Sequence, residues 1–229
     1  RRLQFTHGFG VTMTPVDEVS VSGRPNFFVS NIPPELNALD PEISEIGEIS
    51  QPRVYFGEVT DPYVIVNSQA EEFDFPIGTG GESTNRYDGS GGISLGNMFR
   101  RAAFALQFQD FNILVSGSVT SDSKIVFRRN IQDRLNELAP FLQLDEDPYI
   151  VVGGDGGLYW IQDAYTSTDR FPYSQPLTGG TIGIPAGSNY VRNSVKAVID
   201  AYDGTVDLYI VDETDPIIQV WQEIFPDLF

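Results

Sequence analysis

Chemistry-bearing residue types concentrate in residues 147–176, DPYIVVGGDGGLYWIQDAYTSTDRFPYSQP. The second half sets Asp163, Tyr165, Thr166, Asp169, Arg170 and Tyr173 close together, so that aromatic faces stand beside hydroxyls and carboxylates. Such a mixture suits a sugar ring, which stacks on an aromatic face and meets polar groups at its rim. It equally suits a buried hydrogen-bond network that fixes a loop, with Arg170 paired to an aspartate. A second carboxylate pair comes from a hairpin. A two-residue loop at Asp203-Gly204 would pair Tyr202 with Thr205 and set Ala201, Ile199 and Ala197 opposite Val206, Leu208 and Ile210 on a core face. That register puts Asp200 opposite Asp207 on the other face, where like charges cost on the order of 0.2–1 kcal/mol unless neutralised. Calcium, which takes oxygen ligands, would bridge them. Solvent, or Lys196 or an arginine between them, would also relieve the repulsion.

Other patterns carry less chemistry. The acidic runs 145–148 and 212–216 each close on a proline, lack EF-hand spacing and read as solvated turns. Gly92-Ile93-Ser94-Leu95-Gly96 matches a nucleophile elbow, but a Gly-rich loop stands where a buried strand is needed, and the sole histidine, His7, lies upstream. The surrounding glycines with Arg86, Arg100 and Arg101 suggest a phosphate cradle, yet no Walker lysine follows. His7, without a cluster of His or Cys, reads as structural.

These residues need positioning elements, and the composition bounds what can supply them. Across 229 residues, 32 acidic side chains outnumber 14 basic ones for a formal charge of −18, which speaks against a nucleic-acid partner. The absence of cysteine removes disulfides and thiolate chemistry from this chain. No apolar run approaches the ~18–20 residues needed to cross a bilayer. The chain reads as a soluble piece, and its apolar ends suggest one domain, 1–229, excised from a longer protein.

Periodicity predicts an α+β fold, sheet-rich and largely antiparallel. Residues 1–52 are an extended, proline-rich lead-in with short edge strands. Residues 53–144 hold strands and two main helices, and 145–229 form a hairpin-rich β part. Strands are expected at 54–58 and 63–67, joined through Thr60-Asp61-Pro62, and as a pair at 112–117 and 124–127. Residues 78–96 read as a mobile Gly-rich loop. The helices fall at about 95–109, from Leu95, Phe99, Ala102, Ala103 and Leu106, and at 131–143, capped by Asn130 with Asp133 three residues on and ended by Pro140. Further strands follow at 149–152, 158–164, 190–202 and 205–212, then a short helix near 220–224. A two-residue turn at Asp155-Gly156 would pair Tyr149 with Gln162 and Val151 with Trp160 in a central hairpin, apolar on both faces.

Several stretches together carry a family likeness: Thr6-His7-Gly8, Asn31-Ile32-Pro33-Pro34, Gln51-Pro52-Arg53-Val54-Tyr55-Phe56-Gly57-Glu58, Tyr63-Val64-Ile65-Val66-Asn67 and Glu72-Phe73-Asp74. They continue through Asp147-Pro148-Tyr149, Leu158-Tyr159-Trp160-Ile161, Asp163-Ala164-Tyr165-Thr166, Pro172-Tyr173-Ser174, Asn189-Tyr190-Val191-Arg192-Asn193-Ser194-Val195-Lys196, Asp200-Ala201-Tyr202-Asp203-Gly204 and Ile224-Phe225-Pro226. On these residues the chain resembles a segment of Uncharacterised Protein Family 0182, bacterial multi-pass membrane proteins with a large extracytoplasmic part. Phe75 and Phe171 stand where the family leads one to expect tyrosine. The resemblance implies attachment to transmembrane segments of the same protein, a place on the extracytoplasmic face and no transferable catalytic residue. It frames the chain as a binding or assembly module, with an envelope component as a further partner. The alternatives are an enzyme acting on an envelope glycan or lipid, with Asp163 and Asp169 as acid and base, and a calcium-stabilised structural domain.

Overall fold

Short clips open the chain, because its prolines and glycines interrupt every run before a long strand can form. In the computed structural model, which describes residues 1–37, 48–78, 80–180 and 183–229, β1 (Gly8–Phe9), β2 (Val29–Ser30), β3 (Glu35–Leu36) and β4 (Arg53–Val54) pair as β1 with β4 and β2 with β3. Part of the expected lead-in, 38–47, lies outside the described residues. Beyond β4 the sequence leads one to expect a hairpin to the next strand, but none forms. Tyr55 and Phe56 instead donate their N–H groups to the Ala201 carbonyl at 2.8 and 2.9 Å, and Gly57 donates to the Arg129 carbonyl.

The run Tyr63–Val66 is β5, followed by β6 (Glu72–Ile77), β7 (Gly81–Asn85) and β8 (Ile93–Ser94). Its partner is β9 (Lys124–Phe127), which also pairs β8. All four β5 residues are buried, because both faces of this small sheet are covered. Val64, Val66 and Val126 point into the main core, while Tyr63, Ile65 and Ile125 point into a second cluster with Leu95, Ala105 and Ile113. The second cluster is closed by α1 (Met98–Gln107), capped by Asn97, and by α2 (Asn112–Val115). Residues 112–115 are therefore helical where a strand is expected: Asp110 Oδ1 accepts from the Asn112 N–H at 3.0 Å, a local bond that favours a turn over an extended backbone.

The helix α3 (Ile131–Leu138) begins as expected, with Asn130 Oδ1 accepting from the Asp133 N–H at 2.9 Å, and it stops before Pro140 rather than running to 143. A five-stranded antiparallel sheet then forms from β10 (Gln143–Leu144), β11 (Tyr149–Val152), β12 (Leu158–Thr168), β13 (Tyr190–Asp200) and β14 (Val206–Ile210). β12 and β13 are central, whereas β10 and β11 share the outer edge of β12, so β11 is an edge strand and not part of a central hairpin. Tyr149 pairs with Ile161 and Val151 with Tyr159, one residue away from the expected register. The turn is longer than two residues, with Gly153 bonded to Gly157 and Gly156 left-handed at φ 81°. Finally α4 (Pro216–Ile224) lays Ile218 against the sheet; it begins at Pro216, earlier than the expected 220.

The central ladder is irregular at one point. Between Ala164 and Tyr165 the β12–β13 register shifts, so that Ser194 and Val195 are both buried. A bulge of this kind re-aims a side chain, and here it turns Ser194 inward.

Candidate functional site

The six residues picked out near the end of β12 do not converge on a cleft. Asp163 faces Lys196 across the β12–β13 ladder at 2.5 Å and accepts from Asn193 at 3.0 Å. Burial alone would raise its pKa, but Lys196 and Asn193 hold it below the usual carboxylate value. The Tyr165 hydroxyl donates to Asp145 at 2.6 Å, and that bond, with burial, pushes its pKa up to about 12. Thr166 is buried and donates to Asp215. Asp169 and Arg170 pair with each other at 3.7 Å, both largely in solvent, and Tyr173 is fully exposed. The carboxylates considered as acid and base are thus engaged separately, one in a cross-strand ion pair and one at the surface.

The Asp200–Asp207 pairing fails on register. Val198, not Asp200, stands opposite Asp207, because the loop spans 201–204 with Gly204 left-handed at φ 70°. Asp200 Oδ1 instead accepts from the Tyr202 and Asp203 N–H groups at 2.7 and 3.0 Å, fixing the turn. Among the described residues no cluster of three or more His, Cys, Asp or Glu is placed to hold a metal ion.

The expected mobile loop is likewise occupied, although residue 79 lies outside the described residues. It contains β7 and then wraps the β13–β14 turn: Asp203 accepts from the Tyr87 hydroxyl at 2.9 Å and from the Ser90 N–H and hydroxyl, both at 3.0 Å. Its glycines leave room for these contacts, since a Cβ on Gly89 would stand 2.1 Å from Asp203 Oδ1.

A site not foreseen in the sequence joins β1, β4 and β6. Arg53 grips Asp74 with two bonds of 2.8 and 2.7 Å, and His7 Nε2 lies 3.1 Å from the same carboxylate. The His7 and Asp74 side chains are 0 % and 2 % exposed. Burial lowers the His7 pKa, with Asp74 opposing. On its other side, His7 Nδ1 is 3.0 Å from Thr6 Oγ1, whose proton goes to Glu72 at 2.6 Å. Glu72 also accepts from the Tyr55 hydroxyl and the Asn67 N–H. Threonine, histidine and aspartate stand here in the order of a nucleophilic triad, but Thr6 is fully buried and already donates to a carboxylate. The network clamps the N-terminal segment onto β6 through Glu72 and Asp74. The one sequence signal for it was a lone histidine between Thr6 and Gly8.

What remains open lies beside this clamp. Arg129 is 5 % exposed, and its Nε and Nη2 donate to the backbone carbonyls of Tyr55 and Thr6 at 2.6 and 2.7 Å. Burial lowers its pKa to about 10, leaving it a cation at neutral pH. Among the described residues no carboxylate lies within ion-pair distance of it. Arg129, Thr60 and Asp61 line two clefts at once, one of about 810 Å³ between α1 and α3 and one of about 470 Å³ reaching Trp160. The larger cleft shares Arg128 and Glu137 with a third, of about 390 Å³, that ends at Gly204, Thr205 and Val206. The three clefts lie around the start of α3. Thr60 Oγ1, beside two of them, is buried without a hydrogen-bond partner.

Known proteins resemble the chain along its whole length. The family model described as "Uncharacterised protein family (UPF0182)" matches residues 1–229. A UPF0182 protein of Clostridium acetobutylicum is 49 % identical over 229 residues, covering 100 % of this chain and 23 % of the relative. One from Cupriavidus necator is 51 % identical over 228 residues, with 99 % and 23 % covered, and one from Sulfurovum sp. is 47 % identical over 227 residues, with 99 % and 24 % covered. The chain thus spans about a quarter of the length of these relatives. No solved structure matches it. The match along the whole chain and the near-half identity to these relatives show that the chain belongs to the uncharacterised protein family UPF0182.

Proposed function

We propose that the chain is an assembly module on the extracytoplasmic face of a multi-pass bacterial membrane protein, docking onto other parts of its own longer polypeptide. The observation that carries this reading is the exposed apolar face of the α1–α2 unit. Phe99, Ala103 and Leu106 recur at i, i+4 and i+7, which places them on one side of α1. Phe99 is 87 % and Leu106 73 % exposed, and Phe111 and Val115 of the α2 region are exposed as well. The opposite side of α1 buries Ala105 in the second core cluster. A face of this kind, on a chain that spans about a quarter of its relatives, suits a surface that another segment covers. Burying Phe99 and Leu106 would contribute about 1.5–3 kcal/mol each.

The membrane and extracytoplasmic parts of this reading rest on the family likeness. The docking part is testable directly. With a photoreactive benzoylphenylalanine at Leu106 of the full-length protein in its membrane, irradiation is expected to give a crosslink within the same polypeptide, outside this chain. Phe99→Ser should weaken that crosslink while leaving the unfolding of the domain within about 0.5 kcal/mol of the parent, as for an exposed substitution. Absence of any crosslink at Leu106 would remove the reading.

A further inference from the structure

The last helix carries more apolar surface than its place in the fold uses. In α4, Ile218 is buried against the sheet, but Val220 and Ile224 are 54 % and 53 % exposed. Ile217, Val220 and Ile224 recur at i, i+3 and i+7 and so share one side, and of the nine residues only Gln219, Gln222 and Glu223 carry polar side chains. A helix apolar over most of its circumference has the pattern of a buried helix. Trp221, four residues after Ile217, leads from the exposed side into a cleft of about 480 Å³ lined by Leu138, Pro140, Phe141, Trp221, Phe225 and Leu228. Its aromatic wall is ordered: Phe141 stacks on Trp221 with ring centroids 4.0 Å apart, and Phe225 lies within 9° of parallel to both rings.

Charge narrows what can cover this surface. The two stretches that build the cleft, 135–169 and 197–229, hold seven and eight acidic residues and no lysine or arginine. Glu223 in α4 and Asp227, between Phe225 and Leu228, form no ion pair among the described residues. An anionic lipid surface or an acidic segment is repelled by such a rim, whereas an apolar segment that carries Lys or Arg is drawn to it. Size points to a polypeptide: α4 is about 13 Å long, and its exposed apolar side continues past the cleft, beyond what one small molecule would cover. The relatives are about four times as long as this chain, so a segment of the same polypeptide would stand at high effective concentration.

We propose that the cleft between α3 and α4, with the exposed side of α4, receives an apolar segment of the same longer polypeptide whose Lys or Arg side chains are drawn by Glu223 and Asp227. The proposal rests on the reading that the chain docks onto the rest of its own protein. It adds a second docking surface to the apolar face of α1 and names the charge of the segment that fits it.

The experiment places benzoylphenylalanine at Ile224, exposed beside the cleft, in the full-length protein in its membrane. The expected product is a crosslink within the same polypeptide, outside this chain, mapping within a few residues of a Lys or Arg. Changing that cation to Gln should reduce the crosslink at least severalfold, as should Glu223→Gln combined with Asp227→Asn, two exposed positions. Because the cation lies on the segment, its substitution decides if the double variant loses stability. A crosslink to a lipid, a separate protein or a second copy of the chain overturns the proposal, as does a crosslink indifferent to the charge changes. Silence at Ile224 with a crosslink retained at Leu106 overturns it while leaving the docking reading in place; silence at both positions removes both.

Discussion

The sole histidine makes one residue-scale prediction unusually clean. Because burial holds His7 below its ordinary value of 6.5, the folded chain resists the proton that the unfolded chain accepts. Above 6.5 neither state carries it and His7 has no effect. As pH falls through 6.5 the unfolded state gains the proton first, so stability declines, with a slope of at most ~1.4 kcal/mol per pH unit. Carboxylates with lowered pKa values, such as Asp163 and Asp215, act only near and below 3.8. Denaturation midpoints between pH 6.5 and about 5 should therefore fall in the parent and stay flat in His7→Gln, which will be less stable throughout; a parent without slope there would refute the assignment. Asp215 supplies the second test. It caps α4 through the Ile217 N–H at 3.1 Å and accepts from Ser194 at 2.6 Å, from Tyr190 at 2.7 Å and from Thr166. Burial would raise its pKa, but these hydroxyls hold it low. Asp215→Ala loses a cap and strands two buried hydroxyls, so a destabilisation of about 3 kcal/mol or more is expected in denaturant unfolding. In the sequence, Asp215 is one acid in a run, 212–216, whose pattern predicts a solvated turn. What hid its role was distance: its partners sit on two other strands, and only the bulge at Ser194 turns one of them inward.

At the scale of elements, the sequence was most legible where local chemistry decides. Asn130 and Pro140 set both ends of α3 because a cap and a missing N–H act within one turn. Registers were less legible, since they depend on loop length. The β13–β14 loop is two residues longer than expected, and a shift of two keeps each side chain on its face, so Ile199, Ala197 and Leu208 still line the core. Only the cross-strand partners changed, which dissolved the Asp200–Asp207 pair. The partner of β5 was not legible at all, because β9 lies some 60 residues on and the run between β4 and β5 bonds to the main sheet instead. The Gly-rich loop shows the same limit, as composition says nothing of what a loop packs against. Gly89→Ala should destabilise the fold by about 1–3 kcal/mol through its clash with Asp203 and the Tyr87 ring, whereas Gly78→Ala, with open space around its Cβ, should be near neutral in the same unfolding assay. Equal effects would mean that the loop does not hold the β13–β14 turn.

For the whole molecule, the formal charge of −18 and the apolar α1 face pull in different directions. Such a charge repels anionic lipid headgroups, so the domain is disfavoured from lying on a bilayer, while exposed Phe99 and Leu106 still call for cover. The proposed covering segment of the same polypeptide would resolve the conflict, burying the apolar face without bringing the acidic surface against lipid. No helix among the described residues is long and apolar enough to cross a membrane. The side on which the domain stands is open to a direct test, because this chain contains no cysteine. Tyr173 is fully exposed, lines none of the clefts around α3 and is no part of α1, so Tyr173→Cys introduces a single reporter into this chain. In intact cells a membrane-impermeant maleimide is expected to label Tyr173→Cys in the full-length protein above the level of the unsubstituted protein, with no increase on permeabilisation. Labelling that appears only after permeabilisation would put the domain in the cytoplasm and overturn the extracytoplasmic reading.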